Sequence, residues 1–272
     1  MKCTLYLFAT LALLMVFDVS CSNVISPPEP QESSWAFRIQ FHGEPPDDYV
    51  FQGHYVYVEI CLDSADDRSL DGFNFLIAYN SDGLTFIYAE LLEATECWEY
   101  FTYDLGPFDG CGNDCPSGLV RLSGLRDVNY GPYHPEGCKG ADGFFDSSGV
   151  EIAQLKFYVT DDRTFECDFL PIYFYWLDCE DNTITCCGNE TKFVSNRVFD
   201  ISWETDRGYR EIFPPDGSID LDDHIYGAWE ICEDNFGSGY LSNRVIDFFN
   251  GGIDIACAVE PVSYTHLRAH ET

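Results

Sequence analysis

DGFNFLIAYNSDGLTFIYAEL, residues 71–91, holds the pattern that decides the fold. Phe73, Phe75, Ile77 and Tyr79 alternate with Asn74, Leu76 and Ala78, and a strand sends alternate side chains to opposite faces. A short polar turn follows, and then a second apolar run from Leu84 to Leu91. Outward from this pair, strand character recurs at 35–42, 54–62, 98–103, 119–125, 150–160, 168–177 and 192–203, with a closing strand at 246–256. Clusters of Gly, Asp, Asn and Pro separate the segments, and no amphipathic helix stands out. Many short strands with such punctuation predict an all-β protein, a β-sandwich.

Three segments add a family resemblance. Residues 71–91 resemble the cohesin signature of a strand ending in Tyr and a polar residue, a turn, then Leu and a second apolar strand. SSGVEIAQLKFYV (147–159) resembles the cohesin strand that begins Gly-Val, and FFNGGIDIACA (248–258) resembles the closing strand with its paired glycine. The three lie in cohesin order. The resemblance implies an approximately nine-stranded β-sandwich with jelly-roll topology over 35–258, with long loops at 106–148 and 178–243. It implies a non-catalytic module that docks a calcium-loaded dockerin on one flat sheet face. Asn74 matches the short polar contact residue of the binding strand, and Arg126 falls where cohesins often carry an acidic contact. If the aromatic set is core, Asn74 and Ala78 point outward, with Arg126 and Asp127 beside them as partner-binding residues.

Both ends of the chain read as something other than the domain. Lys2, the apolar run 5–17 and the small residues Ser20, Cys21 and Ser22 have the layout of a secretory signal peptide, 1–21. The run falls short of the roughly 20 residues that a spanning helix needs. Cys21 also resembles a bacterial lipoprotein cysteine, although Asp18 departs from that pattern. Residues 22–34 form a polar, proline-bearing leader. PVSYTHLRAHET, residues 261–272, resembles a translated sequencing adapter, so His266 and His270 are set aside. On that reading the natural protein continues differently after Glu260.

The formal net charge of −33 repels phosphate backbones and anionic headgroups, which argues against nucleic-acid and membrane-surface binding. Aromatics make up 16% of the chain, too many for a disordered acidic segment. Of 13 cysteines, Cys3 and Cys21 belong to the signal region. Behind a signal peptide the others read as a disulfide framework, with Cys97, Cys111, Cys115, Cys138, Cys167, Cys179, Cys186, Cys187 and Cys232 as candidates and the connectivity open. Cys111, Cys115, His134 and Cys138 have a spacing that could hold zinc, but export favours disulfides.

The acidic stretch 214–227 offers Asp216, Asp220 and Asp222 to calcium. It departs from the EF-hand pattern, with Leu221 where the turn glycine belongs, and reads first as a solvated loop. The Asn189 sequon reads as chance in a chain taken as bacterial. No serine-nucleophile elbow, HExxH or phosphate-binding glycine loop occurs, and with 47 acidic residues paired carboxylates are expected by chance. The chain therefore reads as non-catalytic. A second binding reading is a carbohydrate-binding module, with Trp98, Tyr100, Tyr103, Tyr130 and Tyr133 as an aromatic platform; core packing competes for the same rings.

Overall fold

The structure is a computed structural model that describes residues 34–41, 49–65, 69–108, 115–126, 149–177, 181–186, 191–202, 208–212 and 243–257. These residues contain fourteen strands: β1 (Trp35–Phe41), β2 (Tyr49–Val50), β3 (Tyr55–Ser64), β4 (Gly72–Tyr79), β5 (Leu84–Leu91), β6 (Tyr100–Leu105), β7 (Gly118–Leu125), β8 (Val150–Val159), β9 (Phe169–Phe174), β10 (Thr183–Cys186), β11 (Thr191–Ser202), β12 (Gly208–Glu211), β13 (Asn243–Phe249) and β14 (Gly251–Ile255). The one helical piece among them is a 3-10 turn at Arg163–Phe165.

Hydrogen bonds link the strands in the order β2-β14-β9-β4-β10-β11-β13-β1-β3-β8-β5, with β7 and then β6 beside β4, and β12 beside β11. Ring contacts show how this path folds over. Phe37 of β1 meets Phe75 of β4 at 5.0 Å, Tyr79 of β4 meets Phe157 of β8 at 5.0 Å, and Phe86 of β5 meets Tyr103 of β6 at 5.4 Å. Strands distant along the path therefore face one another. One layer is β5-β8-β3-β1-β13 and the other is β6-β7-β4-β9-β14, which is a β-sandwich.

Alternation builds the core. In β3 Val56, Val58, Ile60 and Leu62 are buried while Tyr55 and Tyr57 are exposed. In β4 Phe73, Phe75, Ile77 and Tyr79 all enter the core, as the sequence pattern predicts. Phe248 of β13 is fully buried among Phe37, Phe75, Phe174 and Trp176, with centroids 4.6–6.1 Å away.

The strand count exceeds the expected number for two physical reasons. Three strands, β2, β10 and β12, have only 2, 4 and 4 residues, too few to show a period of their own, and are defined by their pairing: β2 with distant β14, β10 with distant β4 and neighbouring β11, and β12 with neighbouring β11. The single closing strand expected at 246–256 is broken at Asn250. There β13, parallel to β1 and β11, gives way to β14, antiparallel to β9 in the opposite layer. Asn250 holds this corner: its backbone N–H donates to the Phe199 carbonyl at 2.8 Å, and its Oδ1 accepts from the Phe174 N–H at 3.0 Å. Gly251 permits the crossing, since a Cβ there would sit 2.4 Å from the Ile39 carbonyl oxygen.

Candidate binding faces

The outer face of β6-β7-β4-β9 is the surface on which the sequence put partner binding. Register sets Thr102 beside Ser123 and Ser123 beside Asn74, with Asp104, Arg121 and Leu76 in the next row. Asn74, Leu76 and Ala78 do lie opposite the core aromatics. The face they share is not bare, however. Leu76 and Ala78 are 0% exposed and Leu119 is 4% exposed, with Phe108, Tyr173, Tyr175 and Leu177 packed over them. Ala78 is therefore no outward contact residue.

A segment after β9 forms this cover. The Tyr175 N–H donates to the Leu76 carbonyl at 2.8 Å, the Leu76 N–H to Asn182 Oδ1 at 3.0 Å, and Asn182 Nδ2 to the Tyr175 carbonyl at 2.6 Å. Asn182 sits at φ 52°, a left-handed conformation that Asn tolerates better than most residues. Arg121 pins the cover through a 2.6 Å ion pair to buried Asp181 and lies 4.7 Å above the Phe108 ring.

Beyond the cover the face stays partly open. Thr102, Ser123 and Asn74 are half-buried, and the Ser123 hydroxyl donates to Asn74 Oδ1 at 3.0 Å. Arg126, expected as an exposed specificity contact, instead forms a 2.6 Å ion pair with Asp71, whose side chain is 3% exposed. Its role is structural because the chain brings a buried carboxylate under it. Asp127 lies outside the described residues.

Among the described residues, Trp98, Tyr100 and Tyr103 do not share one face as the aromatic platform for sugars would require. Trp98 is buried and tilts against Phe73 at 5.5 Å, because a turn whose Trp98 N–H donates to the Thr95 carbonyl carries it inward. Tyr103 points to the inner side of β6 against Phe86, while Tyr100 is exposed on the outer side. Tyr130 and Tyr133 lie outside the described residues.

A different aromatic surface was missed. On the outer face of β5-β8-β3, Tyr55 lies opposite Tyr158, and Tyr57, Lys156 and Tyr88 form the next row. Tyr55 is 59% exposed and Tyr57 41%. The Lys156 ammonium sits 4.8, 5.0 and 5.4 Å from the rings of Tyr55, Tyr57 and Tyr88, within cation–π range. Its hydrogen bond holds the Tyr57 phenol below the ordinary range, and Tyr57 in turn raises Lys156. The Tyr158 hydroxyl donates to Asp161 at 2.6 Å, and Gln154 Nε2 donates to Glu90 at 2.6 Å in the row beyond. The Tyr-Val-Tyr-Val alternation of 55–58 carries half of this signal; the pairing that adds Tyr88, Lys156 and Tyr158 has no local trace.

Cys167 and Cys257 form a disulfide across 90 residues of sequence, a pairing in which Cys257 was not foreseen. Cys97 and Cys115 are also disulfide-bonded. Cys186, a disulfide candidate, is instead a buried thiol, as is Cys61: the strand alternation of β10 turns Cys186 into the core with Ile184. Cys111, His134, Cys138, Cys179, Cys187, Cys232 and the acidic stretch with Asp216, Asp220 and Asp222 lie outside the described residues. So do the Cys21, Asn189, His266 and His270 positions.

Burial, aided by Glu59 and Glu151, pushes the Cys61 thiol up to about 12 from an ordinary 9.0. The thiolate is the reactive form, so native protein at about pH 8 should leave Cys61 unmodified by iodoacetamide, with labelling only on unfolding. Because the folded value is the raised one, the associated stability is fully present below pH 9.0 and is lost as pH climbs to about 12. Peptide mapping of native and denatured samples checks this; native labelling of Cys61 would contradict it.

Among the described residues, no helix is long and apolar enough to cross a membrane. No protein-family model matches the sequence, and no curated protein matches it. Solved structures to which the chain is similar include cohesin modules. The third ScaC cohesin of Acetivibrio cellulolyticus, in complex with the ScaB dockerin, is 11% identical, with 81% of this chain and 99% of that chain covered and a TM-score of 0.43. The sixth cohesin of scaffoldin B from the same organism, also in a dockerin complex, is 13% identical over 59% of this chain and 91% of that one, with a TM-score of 0.42. The seventh ScaB type I cohesin of Pseudobacteroides cellulosolvens is 11% identical over 85% of this chain and 97% of that one, with a TM-score of 0.40.

Proposed function

We propose that this protein is an exported, non-catalytic module that docks a partner protein, of dockerin type, on the open part of the β6-β7-β4 outer face. The observation that carries the reading is the row Thr102–Ser123–Asn74: short polar side chains in register across three strands, half-open to solvent, with the Ser123 hydroxyl donating to Asn74. Such a surface lets a partner approach the sheet closely and supplies donors and acceptors without a costly buried charge. Export is supported by the signal-like start and by the Cys167–Cys257 disulfide, a bond that persists in oxidising compartments.

The face proposed is narrower than the sequence implied. It excludes Ala78, which is buried, and it uses Arg126 as scaffold rather than contact. The test is capture of dockerin-bearing proteins from the source organism's exported fraction, or of a dockerin panel, by the wild type and by Asn74→Trp and Ser123→Trp. Both variants should melt like the wild type and lose capture by about tenfold or more, since a bulky ring on a docked face blocks close approach. Undiminished capture by both variants would remove this face from consideration.

A further inference from the structure

We propose that the opposite layer carries a second binding surface, the Tyr55–Tyr57–Tyr88–Tyr158 face of β3, β8 and β5, and that its ligand is an uncharged polysaccharide. Exposed aromatic rings clustered on a flat sheet, rimmed by polar groups, mark an interaction site rather than ordinary surface. Four tyrosines from three strands meet here, and two of them, Tyr55 and Tyr57, are among the exposed large hydrophobic side chains of the described residues.

The surroundings select the ligand. Tyrosine rings offer apolar faces to the C–H faces of sugar rings, and their hydroxyls lie among the carboxylates and amide of Glu90, Asp161 and Gln154, which accept or donate to sugar hydroxyls. Those carboxylates, on a chain of net charge −33, repel uronic-acid and other anionic polymers. An uncharged polymer meets no such repulsion. Lys156 acts as a positioning residue. Its ammonium lies within 5.4 Å of three rings and fixes them relative to one another, so the platform exists before ligand arrives.

The surface is separate from the proposed docking face, since Asn74 and Tyr57 lie on outer faces of opposite layers. A module with both would hold a partner protein on one side and a polysaccharide on the other.

Affinity electrophoresis of the full chain in gels containing hydroxyethylcellulose, xyloglucan, galactomannan or pectate, with a pull-down on insoluble cellulose, tests this. The wild type should be retarded by at least one uncharged polymer and not by pectate. Tyr55→Ala/Tyr57→Ala should weaken that retention about tenfold or more. Lys156→Met should weaken it severalfold with all four rings in place, whereas Lys156→Arg, which keeps the cation over the rings, should restore it. Asn74→Trp should leave it unchanged, which separates this surface from the docking face. No retention by any uncharged polymer overturns the proposal. So does equal retention of the wild type and the double tyrosine variant, or a tyrosine face whose loss affects only capture of a protein.

Discussion

Arg126→Glu is expected to lower the unfolding free energy by about 3–5 kcal/mol, because it removes one partner of a buried pair and sets a second negative charge in its place. Asp71 has a side chain 3% exposed, 2.6 Å from the Arg126 guanidinium. The backbone around the pair is also a junction: the Asp71 N–H donates to the Thr185 carbonyl, and the Arg126 N–H to the Asp71 carbonyl, each at 2.8 Å. The pair therefore closes the end at which β4, β7 and β10 converge. Urea titration of the oxidised protein measures the loss. A double change, Asp71→Leu with Arg126→Met, should recover most of it, since a buried pair replaced by apolar side chains of similar bulk is often close to neutral. A loss below about 1 kcal/mol for Arg126→Glu would mean that the arginine behaves as an exposed surface charge.

Phe248→Ala should cost a comparable amount, about 3–5 kcal/mol, from lost transfer free energy and the cavity left behind. Phe248 is fully buried where the two layers meet, with Phe37 from one layer and Phe75 and Phe174 from the other around it. The next residue gives an internal control. Phe249 faces the other side of β13, is only half-buried, and stacks on Phe199 at 4.6 Å. Phe249→Ala should therefore cost clearly less. Equal losses for the two variants, read by thermal unfolding with disulfides intact, would contradict the packing described here.

Much of the architecture was legible in local pattern. Residues 72–79 and 84–91 form the strands that alternation and turn chemistry predict, with the same limits, because a two-residue period is a property of the chain alone. The core face of 73–79 followed from the same period. Trp98 was ambiguous: an aromatic near a strand end serves platform or core equally well until a turn fixes its direction, and here the turn carries it against Phe73. The Asn250 break was hidden because both halves of 246–256 have strand character; the change of layer between them depends on which strands receive them.

The sequence by itself determined the all-β class, the alternation that separates Val56 and Val58 from Tyr55 and Tyr57, and the core aromatics of β4, since each depends on neighbours a few residues away. Only the tertiary structure decided which outward faces are open. Ala78 points away from the main core as alternation requires, yet Tyr175 and Leu177, about a hundred residues onward, cover it. Arg126 became scaffold because Asp71 lies beneath it, and Lys156 gained three tyrosines because β3 and β5 flank β8. The period of a strand fixes the side to which a residue points; what it meets there is set by strand pairing and loop packing across long stretches of sequence.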